Sequence, residues 1–254
     1  MSLAGKVALV TGSGQGIGKA TAILLAQKGA SIVCNSTSET CEQTAKEISA
    51  VGGKAIAIRA DVADTKAVER MVSEAMRKFK HIHILVNNAG GTKPIPADPR
   101  IEDIDEEDWD RVVAVNLKGA YNCIKFVVPD MRKMSYGKII NVGSGAGIMW
   151  SRSGVHPYAA AKAGLMGFTR QLAKELGPLG INVNCVAPGL IQVRPKTDRN
   201  QSEYYEKAKL SETVALGRAG QPIEVAHVIV FFASDDASYV TGQTIIVDGG
   251  HWMK

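Results

Sequence analysis

Short, almost unbroken apolar runs alternate along this chain with longer segments in which apolar residues return every three or four positions. The runs are KVALVT (6–11), SIVCN (31–35), KAIAIR (54–59), HILVNN (83–88), GKIINV (137–142), INVNCVA (181–187) and TIIV (244–247). A strand covered on both faces has no polar side to show, so such runs predict the strands of a parallel sheet. The periodic segments between them predict helices. Strict alternation of the two implies right-handed crossovers and helices on both faces of the sheet, a doubly wound α/β architecture of about seven strands. One domain spanning 1–254 is expected. The stretch without a periodic core lies between Pro188 and Ala219, where RPKTDRNQSEYYEKAKLSE is heavily charged; it predicts a mobile cover over roughly 189–218.

Composition narrows the class without changing the fold. At 254 residues, 45% hydrophobic and 22% charged, the chain has the balance of a soluble globule with ample core. The N-terminal MSLAGKVALVTG is too short to span a membrane and carries neither a basic leader nor a cleavage site, which predicts a cytoplasmic protein with no membrane partner. Cys34, Cys41, Cys123 and Cys185 form no CxxC pair and sit in apolar or helical segments, the pattern of free buried thiols. His81 and His83 lack a third ligand nearby, so they predict a strand entrance and no metal site. The net charge of +5 comes from basic residues scattered among acids, which argues against nucleic acid and for an anionic cofactor or substrate.

Two stretches carry candidate chemistry. The first strand runs into TGSGQGIG, where Gly12, Gly16 and Gly18 open a helix. Glycines at such a turn let backbone amides approach a pyrophosphate at the positive end of the helix, and this predicts a dinucleotide site at Gly12, Ser13, Gly14, Gln15, Gly16, Ile17 and Gly18. In HPYAAAKAGLMGFTRQLAKEL, Tyr158 and Lys162 stand one helical turn apart on a common face. A cation beside a phenol favours the phenolate, so the pair could serve as a general acid and base. Tyr121 and Lys125, and Tyr205 and Lys209, have the same spacing. Spacing alone therefore does not choose among them.

The order of TGSGQGIG, ADV (60–62), NNAG (87–90), VNLKG (115–119), NVGSGAG (141–147), YAAAK (158–162), APG (187–189) and DGG (248–250) closely resembles the short-chain dehydrogenase/reductase family over essentially the whole chain. The resemblance implies a Rossmann-type fold and selects Tyr158, which follows a strand ending in a serine loop. It implies that Ser144 holds the substrate oxygen, Tyr158 exchanges its proton, and Lys162 lowers the tyrosine pKa while binding the nicotinamide ribose. Asn116 maps onto an asparagine that anchors a proton relay. The residues support that mapping, because Asn116 lies within the apolar stripe Trp109, Val112, Val113, Ala120 and Ile124 of a helix expected from Asp105, and a polar group on a buried face needs partners. Asp61 and Val62 are implied at the adenine, Asn88, Ala89 and Gly90 along the cofactor, and Pro188, Gly189 and Ile191 near the nicotinamide.

Three positions depart from the family pattern. Gly143 precedes Ser144 where a second serine is common, the interval from Ser144 to Tyr158 is one residue longer than usual, and Val193 replaces a threonine that would meet the carboxamide. Backbone groups around Ile191 are then expected to hold the carboxamide. At the end of the second strand Ser36 and Thr37 stand where an NAD enzyme would present an acid, so nothing repels a 2′-phosphate. Gln15 replaces the arginine that would attract one. The balance favours NADP(H), with NAD(H) open. Within the family the chain looks most like 3-oxoacyl-carrier-protein reductases and the related polyol and sugar dehydrogenases, which implies an acyl-thioester or small-molecule substrate and a homotetramer. A catalytically silent dinucleotide sensor is the alternative of another class. Lys93, Arg152, His156, Arg194 and Lys196 are expected on the substrate side, where they would suit an anion or the acidic carrier.

Overall fold

The structure, a computed structural model, describes residues 2–93, 99–151, 155–193 and 208–253. Seven parallel strands form one sheet in the order β3-β2-β1-β4-β5-β6-β7. They are β1 (Val7–Val10), β2 (Ser31–Ser36), β3 (Ala55–Arg59), β4 (Ile84–Asn87), β5 (Gly137–Val142), β6 (Ile181–Pro188) and β7 (Thr244–Val247). Each predicted run contains its strand to within about a residue at either end. Six longer helices or helical stretches connect them: α1 (Gly16–Gln27), α2 (Thr40–Ala50), α3 (Thr65–Phe79), α4 (Glu106–Val113) continuing through a π-turn at Ala114–Lys118 into α5 (Gly119–Met134), α6 (His156–Leu176) and α7 (Pro222–Ala233). A one-turn helix at Leu210–Thr213 lies in the predicted cover. Residues 194–207 of that cover, with Tyr205, Arg194 and Lys196, fall outside the described residues, as does Arg152.

Two cores explain why the strands carry no polar face. Ala8 and Val10 of β1, with Ile32 and Cys34 of β2, pack under α1, α2 and α7 through Leu25, Ile48, Val225, Ile229 and Phe232. Val7, Leu9 and Val33 point the other way, onto Val68, Met71, Cys123, Val127, Leu172 and Leu176 of α3, α5 and α6. All four cysteines are buried free thiols, and burial pushes Cys34 and Cys123 up to about 12. His83 does mark a strand entrance, its Nδ1 accepting from the Val7 amide at 3.1 Å, while His81 contacts Asp130 at 3.1 Å. No helix among the described residues is long and apolar enough to cross a membrane.

Strand order reverses between β1 and β4, and there the loops at the carboxyl ends diverge into a crevice, the usual ligand position in an open α/β sheet. A buried polar chain fixes α6 beside that crevice. Asn87 donates to Asn141 at 2.9 Å, Asn141 donates to Thr169 at 2.9 Å, and Thr169 donates to the Leu165 carbonyl at 2.8 Å. Thus β4, β5 and α6 are tied by groups that would be costly to leave unpaired.

Candidate active site

The glycine turn begins where β1 ends. Gly12 and Gly16 have φ of 62° and 53°, a region that side chains other than glycine rarely adopt. Gly18 is required for a second reason, since a Cβ there would strike the Gly12 carbonyl oxygen and Asn88. Asn88 locks the turn to β4, its Nδ2 donating to the Thr11 and Gly12 carbonyls at 2.9 and 3.1 Å. The backbone amides of Asn88 and Ala89 both donate to the Thr11 hydroxyl at 3.0 Å. No side chain caps the first turn of α1 at Gln15, which leaves amide donors there for an anion. Ser13 faces the other way: it is buried and bound through its amide and hydroxyl to the Asn35 carbonyl and through its own carbonyl to Thr44. It ties the turn to β2 and α2.

At the end of β2 the expected hydroxyls cluster. Ser36 donates to the Ser38 carbonyl at 2.6 Å and lies 3.4 Å from the Thr40 hydroxyl, while Thr37 is exposed. The neighbouring cation Arg59 is occupied by Glu42 at 2.8 Å and Glu39 at 4.0 Å. Asp61 pairs with Arg111 at 2.8 Å and caps the Ala63 amide at 2.9 Å. The Val62 carbonyl accepts from buried Asn122 at 2.8 Å. Both positions therefore tie elements together.

The four candidate catalytic side chains come from three different elements. The buried Lys162 amine donates to the Val142 carbonyl at 2.7 Å and stands 5.5 Å from the centre of the Tyr158 ring. The serine loop following β5 places Ser144 near the phenol, which it draws down in part, while the Ser144 hydroxyl accepts from the Ala146 amide at 3.2 Å. Asn116 completes the group from the π-turn. Its Oδ1 accepts from the Gly91 amide at 3.0 Å, and its Nδ2 donates to the carbonyls of Gly91 and Val112 at 2.8 and 2.9 Å. A Cβ on Gly90 would press on Asn116 and come within 3.2 Å of the Lys162 amine, so glycine lets the chain pass between them. The sequence predicts a regular helix here, but the structure opens it at Asn116, as π-turns often do at functional positions.

Electrostatics correct one expectation. Burial raises the Tyr158 phenol above its ordinary 10.0, with the Ser144 hydrogen bond pulling it down in part. Burial lowers Lys162 from 10.5 to about 8. The lysine, turned to the Val142 carbonyl, does not bring the phenol down in the free protein. Burial moves each group toward its uncharged form, because each charge would be stripped of water, yet an amine at about 8 keeps its proton for the most part at neutral pH.

Just beyond β6, Gly189 passes so close to Asp248 that a side chain would collide with it. The Ile191 carbonyl already accepts from the Val193 amide at 2.9 Å, and the Gln192 amide donates to the Gly220 carbonyl at 2.8 Å. Val193 lies against Gly16. Lys93 and His156 are exposed. Tyr121, with the same spacing to a lysine as Tyr158, is largely exposed on α5 and does not reach this group.

One contact of the serine loop comes from a residue that sequence reasoning does not single out. The indole of Trp252 occupies the space in which Gly145 would carry a side chain. The glycine alternation in GSGAG was the available clue, though it does not identify the partner.

Residues 12–251 match a family model described as enoyl-(acyl carrier protein) reductase. A 3-oxoacyl-[acyl-carrier-protein] reductase of Thermotoga maritima is 45% identical over 98% of this chain and 99% of its own length. One from Synechocystis is 43% identical over 99% of each. Among solved structures, a putative gluconate dehydrogenase from Agrobacterium tumefaciens superposes with a TM-score of 0.89 at 32% identity, covering 98% of this chain and 97% of that one. Levodione reductase gives 0.89 at 32% identity, covering 98% of each.

The lysine makes a measurable prediction. A folded pKa of about 8 against an ordinary 10.5 means that the unfolded chain binds more protons in that window, so this group's contribution to stability rises with pH there. Lys162→Met removes the contribution while the thiols remain in both proteins. The unfolding free energy of Lys162→Met minus that of wild type should fall by about 3 kcal/mol between pH 7.5 and 10.5. A difference that is flat across this range would contradict the buried, depressed amine.

Proposed function

The chain belongs to the short-chain dehydrogenase/reductase family of NAD(P)-dependent oxidoreductases, and on that footing we propose that it reduces the 3-oxo group of acyl thioesters carried on an acidic carrier protein. The observation that carries this reading is the Tyr158 ring centre lying 5.5 Å from the buried Lys162 amine, with Ser144 near enough to draw the phenol down in part. Two hydroxyls on one oxygen suit a carbonyl, whose oxygen must be held and then protonated as it becomes an alcohol. The nicotinamide cofactor, when bound, supplies the hydride. Glycines 12, 16 and 18, which let the turn fold tightly against Asn88, Ala89 and Val193, and the uncapped start of α1 fit its pyrophosphate.

In this reading Ser144 orients the carbonyl oxygen and Tyr158 delivers its proton to that oxygen. Burial keeps Tyr158 protonated before the reaction, which suits the reductive direction. Lys162 and Asn116 stand behind it as the next groups on the proton path, with Lys162 also donating to the cofactor ribose. The family description names reduction of a carbon–carbon double bond. There the hydride goes to the β-carbon and the one proton to the α-carbon, for which a serine and a tyrosine placed at an oxygen are less suited. A homotetramer in the cytoplasm, with 1–254 as one catalytic domain, completes the proposal.

Ser36, Ser38 and Thr40 favour NADP(H): position 36 carries a hydroxyl in place of a carboxylate, and the nearby Glu39 and Glu42 are paired with Arg59.

Steady-state rates with 3-oxoacyl and 2-enoyl thioesters, each with NADPH and NADH, test the assignment directly. The 3-oxo substrate with NADPH should be preferred. Tyr158→Phe should lower kcat by about 100-fold or more while leaving the cofactor Kd within a few-fold. Retention of about a tenth of the rate would refute the proton-donor role. In the same assay Ser36→Asp should lower the NADPH-to-NADH ratio of kcat/KM by about tenfold or more. An unchanged ratio would show that the 2′ position lies elsewhere.

A further inference from the structure

Ser144 sits in a loop whose place is set by contacts that only glycines permit. At Gly143 a Cβ would meet the Cys185 thiol at 2.8 Å and the Met166 methyl at 3.1 Å, so this residue rests on β6 and α6. At Gly147 it would meet the Ala163 amide nitrogen at 2.7 Å and the Lys162 carbonyl carbon at 2.8 Å, so the far end of the loop lies on the α6 backbone. Between them, Gly145 meets the six-membered ring of Trp252: Cζ3, Cε3 and Cη2 fill the volume a side chain would take. The loop is thus held on β6 and α6 at its two ends and by one indole at its centre, next to Ser144.

The indole is itself braced. Asp248 accepts from the Gly250 amide at 2.9 Å and from the Trp252 amide at 2.8 Å, closing a hook that Gly249 and Gly250 permit with φ of 67° and 81°. The His251 ring packs edge-on to the indole with centroids 4.4 Å apart, and its Nδ1 donates to the Thr213 carbonyl at 2.9 Å. The Leu216 amide donates to the Gly249 carbonyl at 3.0 Å. These contacts anchor the hook to the base of the cover.

We propose that Trp252 is a positioning residue for Ser144: its indole, seated on Gly145, holds the serine loop so that the hydroxyl meets both the phenol and the substrate oxygen. The role rests on the carbonyl-reductase reading above. A misplacement of about 1 Å in a positioned group can cost around a hundredfold in rate, so a single packing contact is sufficient to matter.

A double-mutant cycle tests the contact. Trp252→Ala should lower kcat by about tenfold or more, with the cofactor Kd and the melting temperature close to wild type. Gly145→Ala should cost a similar factor in the wild-type background, because the methyl strikes the ring. Added to Trp252→Ala it should cost no more than about twofold, because the three atoms nearest to the methyl all belong to the indole that has been removed. Equal costs in both backgrounds, full kcat in Trp252→Ala, or losses accompanied by weakened cofactor binding and melting would overturn the proposal. A second measurement does not depend on turnover: in Trp252→Ala the tyrosinate absorbance of Tyr158 should titrate at higher pH, as it should in Ser144→Ala, because the serine hydroxyl no longer stabilises the phenolate. If wild type reduces no 3-oxo substrate, the carbonyl-reductase reading fails while this titration still tests the positioning. An unshifted titration would overturn the positioning alone.

Discussion

The hydrogen bond from the Lys162 amine to the Val142 carbonyl, 2.7 Å long and buried, is the constraint around which this molecule is arranged. A lysine can be held away from water only if its amine has a polar partner, and here that partner is the last carbonyl of strand β5. The bond fixes where α6 crosses the sheet. The Asn87–Asn141–Thr169 chain fixes the same crossing from below, and glycines at 90 and 147 let neighbouring backbone come close enough to seal the amine in. Tyr158, one turn before Lys162, is then placed without needing a contact of its own to the sheet.

Burial also decides the resting protonation of the site. The phenol is raised and the amine lowered, both chiefly by loss of water. A phenol that keeps its proton until an oxygen beside it gains charge is a better donor for a ketone than one already ionised at neutral pH. Ser144 is the counterweight, the group that draws the phenol partly back. Its position matters to both halves of the chemistry, and the loop that carries it is held by packing from three directions.

Much of this was legible in the sequence. Continuous apolar runs such as ILV at 84–86 and VALV at 7–10 disclosed strands with both faces covered, and the turn glycines disclosed a close approach of backbone to an anion. The serine, tyrosine, lysine and asparagine were nameable because their order along the chain is specific. What was not legible depends on distant segments meeting. Periodicity extends smoothly through Asn116, so the π-turn is invisible until Gly91 is seen to occupy both ends of its amide. The spacing of Tyr158 and Lys162 suggested a lowered phenol, but the sign of the shift depends on burial and on which carbonyl the amine chooses. Ser13 reads as a ligand-facing turn residue and proves to be bound into β2. Trp252 lies more than a hundred residues from the loop that it supports, and no local pattern links them.

The central claim is that Tyr158 is kept loaded with its proton by burial and tuned by Ser144, and the most direct measurement is the tyrosinate absorbance of wild type minus that of Tyr158→Phe as a function of pH in the cofactor-free protein. The account predicts that Tyr158 ionises above the ordinary phenol value of 10.0 and that Ser144→Ala moves its midpoint higher still. Ionisation at or below that value in the free protein, or indifference to Ser144, would contradict it.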